Sequence, residues 1–350
     1  MDFSAISTEQ LPQLLLDMPK AELHIHIEGS LQPEMIFQLA QKNGITLSYP
    51  DVASLRAAYA FTDLQSFLDL YYAGASVLLT ESDFYDMTMA YLQGAVADHV
   101  VHAELFFDPQ THTERGVPIE YVFNGLHRAC QDAKARWGIS THLIMCFLRH
   151  LSEESAFETL EAALPHRHLF IGVGLDSGER GNPPEKFARV FANCKALGLR
   201  LVAHAGEEGP ASYIENALDI LHVERIDHGV RCVESDALVQ RLVSSQVPLT
   251  VCPLSNIKLC VFKTMQQHNL TALLGAGLNV TVNSDDPAYF GGSVNVNFTE
   301  LFKAHPALGA KEAWQLAKNS IEASFVSQDQ KNQWLAQLND FFTAALAVQQ

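Results

Sequence analysis

Along the chain, short runs of β-branched and other apolar residues alternate with longer stretches whose apolar positions recur every three or four residues. Eight runs have the character of strands. They are "AELHIHIEG" at 21–29, "HVVHAELFFDP" at 99–109, "STHLIMCFL" at 140–148 and "HLFIGVGLDSG" at 168–178. The others are "LRLVAHAGE" at 199–207, "RIDHG" at 225–229, "VPLTVCP" at 247–253 and "LNVTVNSDDP" at 278–287. Helix-like segments such as "PEKFARVFANCKALG" and "SDALVQRLVSS" lie between them. Alternating strands and helices imply parallel strands. Eight such units suit a (β/α)8 barrel of the TIM type better than the open, doubly wound sheet that the pattern also permits.

Some seventy residues separate the first two strands, and "FTDLQSFLDLYYAGASVLL" and "SDFYDMTMAYLQGAVADHV" within them read as helices. So long a stretch is better filled with extra helices than with a bare loop. Following the first strand, it belongs at the barrel mouth, where it would wall a pocket. The tail after about residue 309 is also helix-like and is expected to pack outside the barrel. No repeat, low-complexity tract or linker marks a boundary, so residues 1–350 are read as one domain.

Charge and composition narrow the partners. Lys and Arg total 23 against 40 Asp and Glu, a formal net charge of −17. Such a surface repels nucleic acid and anionic membrane and leaves a small neutral substrate unaffected. The N-terminus has no basic stretch ahead of an apolar one, so no signal peptide is read, and no run of about 18 apolar residues predicts a membrane span. The six cysteines, 130, 146, 194, 232, 252 and 260, form no CxxC pair. Buried thiols in a reducing cytoplasm are the expectation. A helical exterior including "LQPEMIFQLAQKNG" leaves a homo-oligomer open.

Histidines at strand ends carry the chemistry. In "ELHIHIEG" the alternation of a strand points His24 and His26 the same way. A single core histidine is usually structural, but two on one face can share a cation. His204 ends the fifth strand in "HAGE" with Glu207 three residues on, His228 ends the sixth in "DHG", and Asp285 and Asp286 end the eighth in "NSDDP". All of these strand ends open on the C-terminal face of a barrel, where catalytic groups collect. Three imidazoles and a carboxylate with a place for water suit a catalytic zinc, which makes hydroxide available near neutrality. Metal-assisted hydrolysis is the chemistry; spacing alone names no substrate. Cys252 in "VCPLSN" lacks the second cysteine of the P-C-x-x-C deaminase signature and reads as a packed thiol.

In order and over nearly the whole chain, "ELHIHIEG", "HAGE", "DHG" and "SDDP" resemble the adenosine/adenine deaminase family of metal-dependent hydrolases. The resemblance implies that His24, His26, His204 and Asp285 hold one zinc ion. It implies that Glu207 protonates purine N1, that His228 orients and activates the attacking water, and that Asp286 bonds the N7 side of the ring. Adenosine-type members read His-Leu-Asp-Gly in the first motif, where this chain has Glu28; the longer side chain is expected to intrude where a ribose would sit. "AELFFDPQTHTERG", "GLDSGERGNPPEKF" and "SDDPAYFGG" are also similar to the adenine branch. The implied reaction is adenine to hypoxanthine and ammonia, a purine-salvage step, with adenosine or an N6-substituted, cytokinin-like adenine as alternatives. Near Gly178 the adenosine branch is one residue longer, so its substrate-contacting glycine is not carried over.

Two other readings stand beside this one. A barrel with two metals bridged by a modified lysine would need a lysine on the fourth strand, and "HLFIGVGLDS" has none. A non-catalytic purine binder would be expected to have lost one of the catalytic residues, and all are present.

Overall fold

A computed structural model describes residues 1–347; residues 348–350, the end of the expected single domain, lie outside the described residues. Eight parallel strands run in sequence order around a barrel. They are β1 (Lys20–His26), β2 (Val100–Phe107), β3 (Ser140–Leu148), β4 (Gly172–Asp176), β5 (Arg200–Ala205), β6 (Arg225–His228), β7 (Leu249–Val251) and β8 (Val280–Val282). Each lies within or one residue outside its expected run; the polar and glycine-rich ends of those runs form the turns of the barrel mouth. The open doubly wound sheet is thereby excluded.

The first and last strands meet through the residues expected to do chemistry. The His26 N–H donates to the Asp285 carbonyl at 2.9 Å, and the Asp285 N–H to the His24 carbonyl at 3.1 Å. Closing the barrel therefore fixes the relative height of three candidate ligands.

Between β1 and β2 lie four α-helices, Pro33–Asn43, Val52–Ala57, Leu64–Ala75 and Glu81–Ala97. The third begins in a capping box, with Asp63 accepting from the Ser66 N–H. Its Leu64, Phe67, Leu68 and Tyr71 fall at helical i, i+3, i+4, i+7 spacing and face the barrel mouth. The tail forms helices Ala310–Ala323 and Gln328–Ala347; the first packs on β1 and β8 from outside. A short helix before β1, Leu11–Asp17, has no counterpart in the sequence reading; its seven residues carry too little periodicity to be seen.

The barrel interior is not simply apolar. Beneath Phe106, Ile144, Cys146 and Val202, the guanidinium of Arg225 donates to Glu104 at 2.7 Å, both side chains fully buried. Glu104 also accepts from the Phe325 N–H at 2.5 Å, tying the chain before the last helix to the barrel. Burial would raise the Glu104 pKa, but Arg225 and His102 outweigh it and bring it down to about 2. A carboxylate depressed in the folded state stabilises above its ordinary value of 4.5 and loses that stabilisation as pH falls through about 2. Glu104→Gln is therefore expected to flatten the acid limb of the stability curve between pH 4.5 and 2. Glu104→Ala, stranding a buried guanidinium, is expected to cost roughly 3–5 kcal/mol in urea unfolding at pH 7.

Candidate active site

At the C-terminal end of the barrel, one ring nitrogen each from His24, His26 and His204 and one Asp285 oxygen lie within 4.8 Å of one another, all four residues buried. The His26 and His204 Nε2 atoms are 3.2 Å apart, His24 Nε2 is 3.2 Å from Asp285 Oδ1, and His26 Nε2 is 3.5 Å from the same oxygen. Four donors about 2.0–2.1 Å from a common centre in tetrahedral array would be about 3.3 Å apart.

The protons argue the same way. Thr250 donates its hydroxyl hydrogen to Asp227 at 2.8 Å, so at 3.0 Å it accepts from His24 Nδ1–H. That tautomer leaves an unprotonated His24 Nε2, buried and without a hydrogen-bond partner, facing a carboxylate. The other two rings follow suit: His26 Nδ1 faces Asp176 at 3.4 Å and His204 Nδ1 faces Asp227 at 3.6 Å. With Nδ1 carrying the proton on all three rings, three lone pairs and a carboxylate converge, and that donor set fits a divalent metal. Cys252 stands near enough to join His228 and Asp285, but its thiol is turned to the Thr250 carbonyl at 3.6 Å and burial pushes its pKa well up. It is a packed thiol, as expected.

A cavity opens around the cluster. Its apolar wall is Leu64, Phe67, Leu68, Tyr71 and Tyr72 from the inserted helix, with Leu259 and Phe290 opposite. The insertion walls the pocket, as its place after the first strand implied. The polar wall contains Glu207, His228 and Asp286 beside the ligand cluster, so all seven expected site residues meet at one place.

His228 Nε2 lies 3.5 Å from Glu207 and 3.6 Å from Asp285. Burial brings His228 down to about 3, leaving a neutral imidazole at neutral pH. Burial, then the charges of Asp285, Glu179 and Glu208, push Glu207 well above the usual carboxylate range. Asp286 is raised likewise by burial and by Asp285. Adjacent acids on an extended backbone would point apart; both line the cavity here because Asp285 adopts φ 62°, in the left-handed region. The glycine of the first motif also has a reason: a Cβ on Gly29 would overlap the Asp286 carboxylate.

Sequence reasoning missed the supports. Glu179 accepts from the N–H groups of Gly206, Glu207, Glu208 and Gly209 at 2.6, 3.1, 2.8 and 2.7 Å, clamping the "HAGEEG" turn. Arg149, fully buried at the end of β3, donates to the His204 carbonyl at 2.6 Å. Asp227 sits between His24 and His204, one residue before His228 in the "DHG" motif. Nothing in the sequence tied Glu179 to a turn 27 residues away; Asp227 was readable, since a ligating imidazole needs an acceptor for its other nitrogen.

Glu28 departs from its expected role. Its carboxylate does not enter the cavity but lies behind the wall, accepting from the Asp108 N–H at 3.1 Å and from His112 Nε2–H at 2.8 Å. Arg115, which can only donate, takes His112 Nδ1 at 3.0 Å and so sets that tautomer. Gly178 lines an outer cleft with Gln65 and Asn182; Ser177 is the residue of that turn on the cavity wall.

Barrel, cluster and cavity define a metal-dependent hydrolase of the amidohydrolase kind. More narrowly, residues 19–341 match the family model described as adenosine deaminase, and the chain belongs to that family, whose members hydrolyse C–N bonds. A relative from Geotalea uraniireducens (strain Rf4), named adenine deaminase, is 64% identical over 343 residues, covering 98% of this chain and 97% of the relative. The crystal structure of adenine deaminase from Arthrobacter aurescens superposes with a TM-score of 0.92 at 55% identity, over 93% of this chain and 99% of that one. An amidohydrolase from Burkholderia ambifaria with bound Zn aligns at TM-score 0.88 and 26% identity, over 96% of this chain and 94% of that one.

Removing the clamp is expected to loosen the turn that presents Glu207. Glu179→Ala strands buried N–H groups at about 1–3 kcal/mol each, so chemical unfolding should show a loss of several kcal/mol. Metal content, measured by plasma mass spectrometry, should change little.

Proposed function

We propose that this chain deaminates adenine hydrolytically, giving hypoxanthine and ammonia, with one zinc ion held by His24, His26, His204 and Asp285. The carrying observation is a buried carboxyl, Glu207, 3.5 Å from the imidazole of His228 beside the ligand cluster, its pKa pushed well up by burial and the neighbouring acids while burial brings His228 down to about 3. Its setting is a chain 64% identical to a relative named adenine deaminase. Zinc, when bound, would supply hydroxide from water near neutral pH.

The residues do the remaining work. Glu207 donates its proton to purine N1, relieving the negative charge that builds in the ring as oxygen adds at C6. His228, neutral, accepts one proton of the attacking water and can pass it to the departing amine, and as C6=O forms the remaining hydroxyl proton restores Glu207, so water and adenine balance hypoxanthine and ammonia. Asp286, its pKa pushed well up by burial beside Asp285, offers a hydrogen to the N7 lone pair and fixes the ring's orientation. The aromatic and aliphatic side chains of the inserted helix cover the ring and exclude bulk water.

The whole chain acts as one domain on a small neutral purine. The cytoplasm is the proposed setting, supported by six unpaired cysteines, five of them buried. No helix among the described residues is long and apolar enough to cross a membrane.

Ammonia release from adenine, adenosine, N6-isopentenyladenine and cytosine, with and without a chelator, tests this directly. Adenine should be fastest and its turnover should vanish on chelation; adenosine or the isopentenyl base turning over faster would replace the substrate. Glu207→Gln should lower kcat by about 10²–10⁴ with zinc still bound. A variant of undiminished rate would end the role given to Glu207.

A further inference from the structure

Once C6 of a purine lies at the ligand cluster, with N1 toward Glu207 and N7 toward Asp286, its N3–N9 edge faces away from all three. The polar cavity wall not yet given a role consists of Asp108, Asp176, Ser177 and the tyrosine hydroxyls of the inserted helix. Asp176 already serves His26 through Oδ2, and Ser177 is shared between Tyr72 at 2.9 Å and His150 at 2.8 Å. Asp108 is the group in reserve. It is 2% exposed, its Oδ2 accepts from Tyr71 at 3.2 Å, and its Oδ1 has no hydrogen-bond donor. The nearest group of like kind is Asp176, which faces it. The two carboxyls hydrogen-bond each other, and burial with the Asp176 charge pushes the Asp108 pKa well up, so the pair shares a proton and keeps its remaining acceptor lone pairs for an N–H from outside.

Asp108 is also held with unusual care for a loop residue. Its own N–H is gripped by Glu28, which His112 and Arg115 hold in turn. This chain begins in the first motif at the residue that distinguishes "HIEG" from the nucleoside-type motif and ends on the cavity wall in "FFDPQ".

We propose that Asp108, with Asp176 beside it, selects a free purine base by accepting a hydrogen bond from the imidazole N–H that glycosylation at N9 removes. Glu28 is then a positioning residue that acts through Asp108. The inference deepens the adenine reading and rests on it. A nucleoside loses twice over: it has no proton to offer at N9, and it leaves acceptor lone pairs of two buried carboxyls unmet. A site built to bond an N–H rejects analogues lacking it far more strongly than one that merely lacks room.

9-Methyladenine isolates the effect, since it removes the N9 proton and adds one methyl group. The zinc-loaded wild-type enzyme should process it with kcat/KM at least about 100-fold below that for adenine. In Asp108→Ala and Asp108→Leu, which leave no acceptor at this position, adenine should lose most of its advantage, so the ratio between the two substrates falls toward one. Equal use of both bases by the wild type would overturn the proposal, as would variants that lower both rates while keeping the ratio. If one variant fails to fold by thermal melting, the other and the wild-type comparison still decide. A wild type that deaminates neither base would count against the adenine reading. Calorimetric binding of adenine and 9-methyladenine to wild type and Asp108→Leu would then judge Asp108 by the same ratio.

Discussion

The structure depends on one electrostatic constraint: imidazole lone pairs and a carboxylate are brought together at the seam where the barrel closes. Lone pairs 3.2 Å apart repel, and a buried carboxylate beside them is costly, so the arrangement is one that a cation stabilises. The covalent frame does not let the donors escape. His24, His26 and Asp285 carry the backbone hydrogen bonds that join β8 to β1, so moving a ligand would open the barrel. Asp227 and Thr250 turn the rings from below, and Arg149 pins the His204 backbone from the side. The fold and the metal site are two descriptions of one set of contacts.

Two strained residues stand where the constraint is tightest. His228, the last residue of β6, and Asp285, three residues beyond β8, have φ of 64° and 62°, conformations that a residue with a side chain adopts at a cost. Both kinks turn a side chain from the barrel axis toward the cavity. Without the one at Asp285, Asp286 would face away from the substrate, and the pair would serve one role instead of two.

The barrel was legible because strand runs and helical periodicity alternate so regularly, and the ligand cluster because histidines stood at the ends of those runs. The walls of the cavity were legible only as a location. That a helix belonged near the mouth followed from the length between the first two strands; that Leu64, Phe67, Leu68 and Tyr71 would be its inner face required the structure. The supports escaped because each acts over a distance that local spacing cannot encode: Glu179 reaches the turn at 206–209, and Arg149 the carbonyl of His204. Glu28 shows how a correct signal can carry a wrong mechanism. The residue does mark the difference in the first motif, yet it works from behind the wall through the Asp108 N–H rather than by filling sugar space.

The balance of charge inside the cavity completes the logic of selection. Asp108, Asp176, Glu207, Asp285 and Asp286 all line it, and the cation implied by the ligand cluster offsets only part of that acidity. Burial and mutual repulsion answer by pushing the Glu207 and Asp286 pKa values well up, which favours the protonated form that the roles proposed for them at N1 and N7 call for. Such a site welcomes a neutral heterocycle that brings both lone pairs and an N–H. It repels a phosphorylated purine, whose charge would enter beside carboxylates. At the outer cleft Arg180 offers no relief, being already paired with Glu208 at 3.5 Å. The acidity of the surface and that of the cavity thus act in the same direction, excluding anions long before shape is tested.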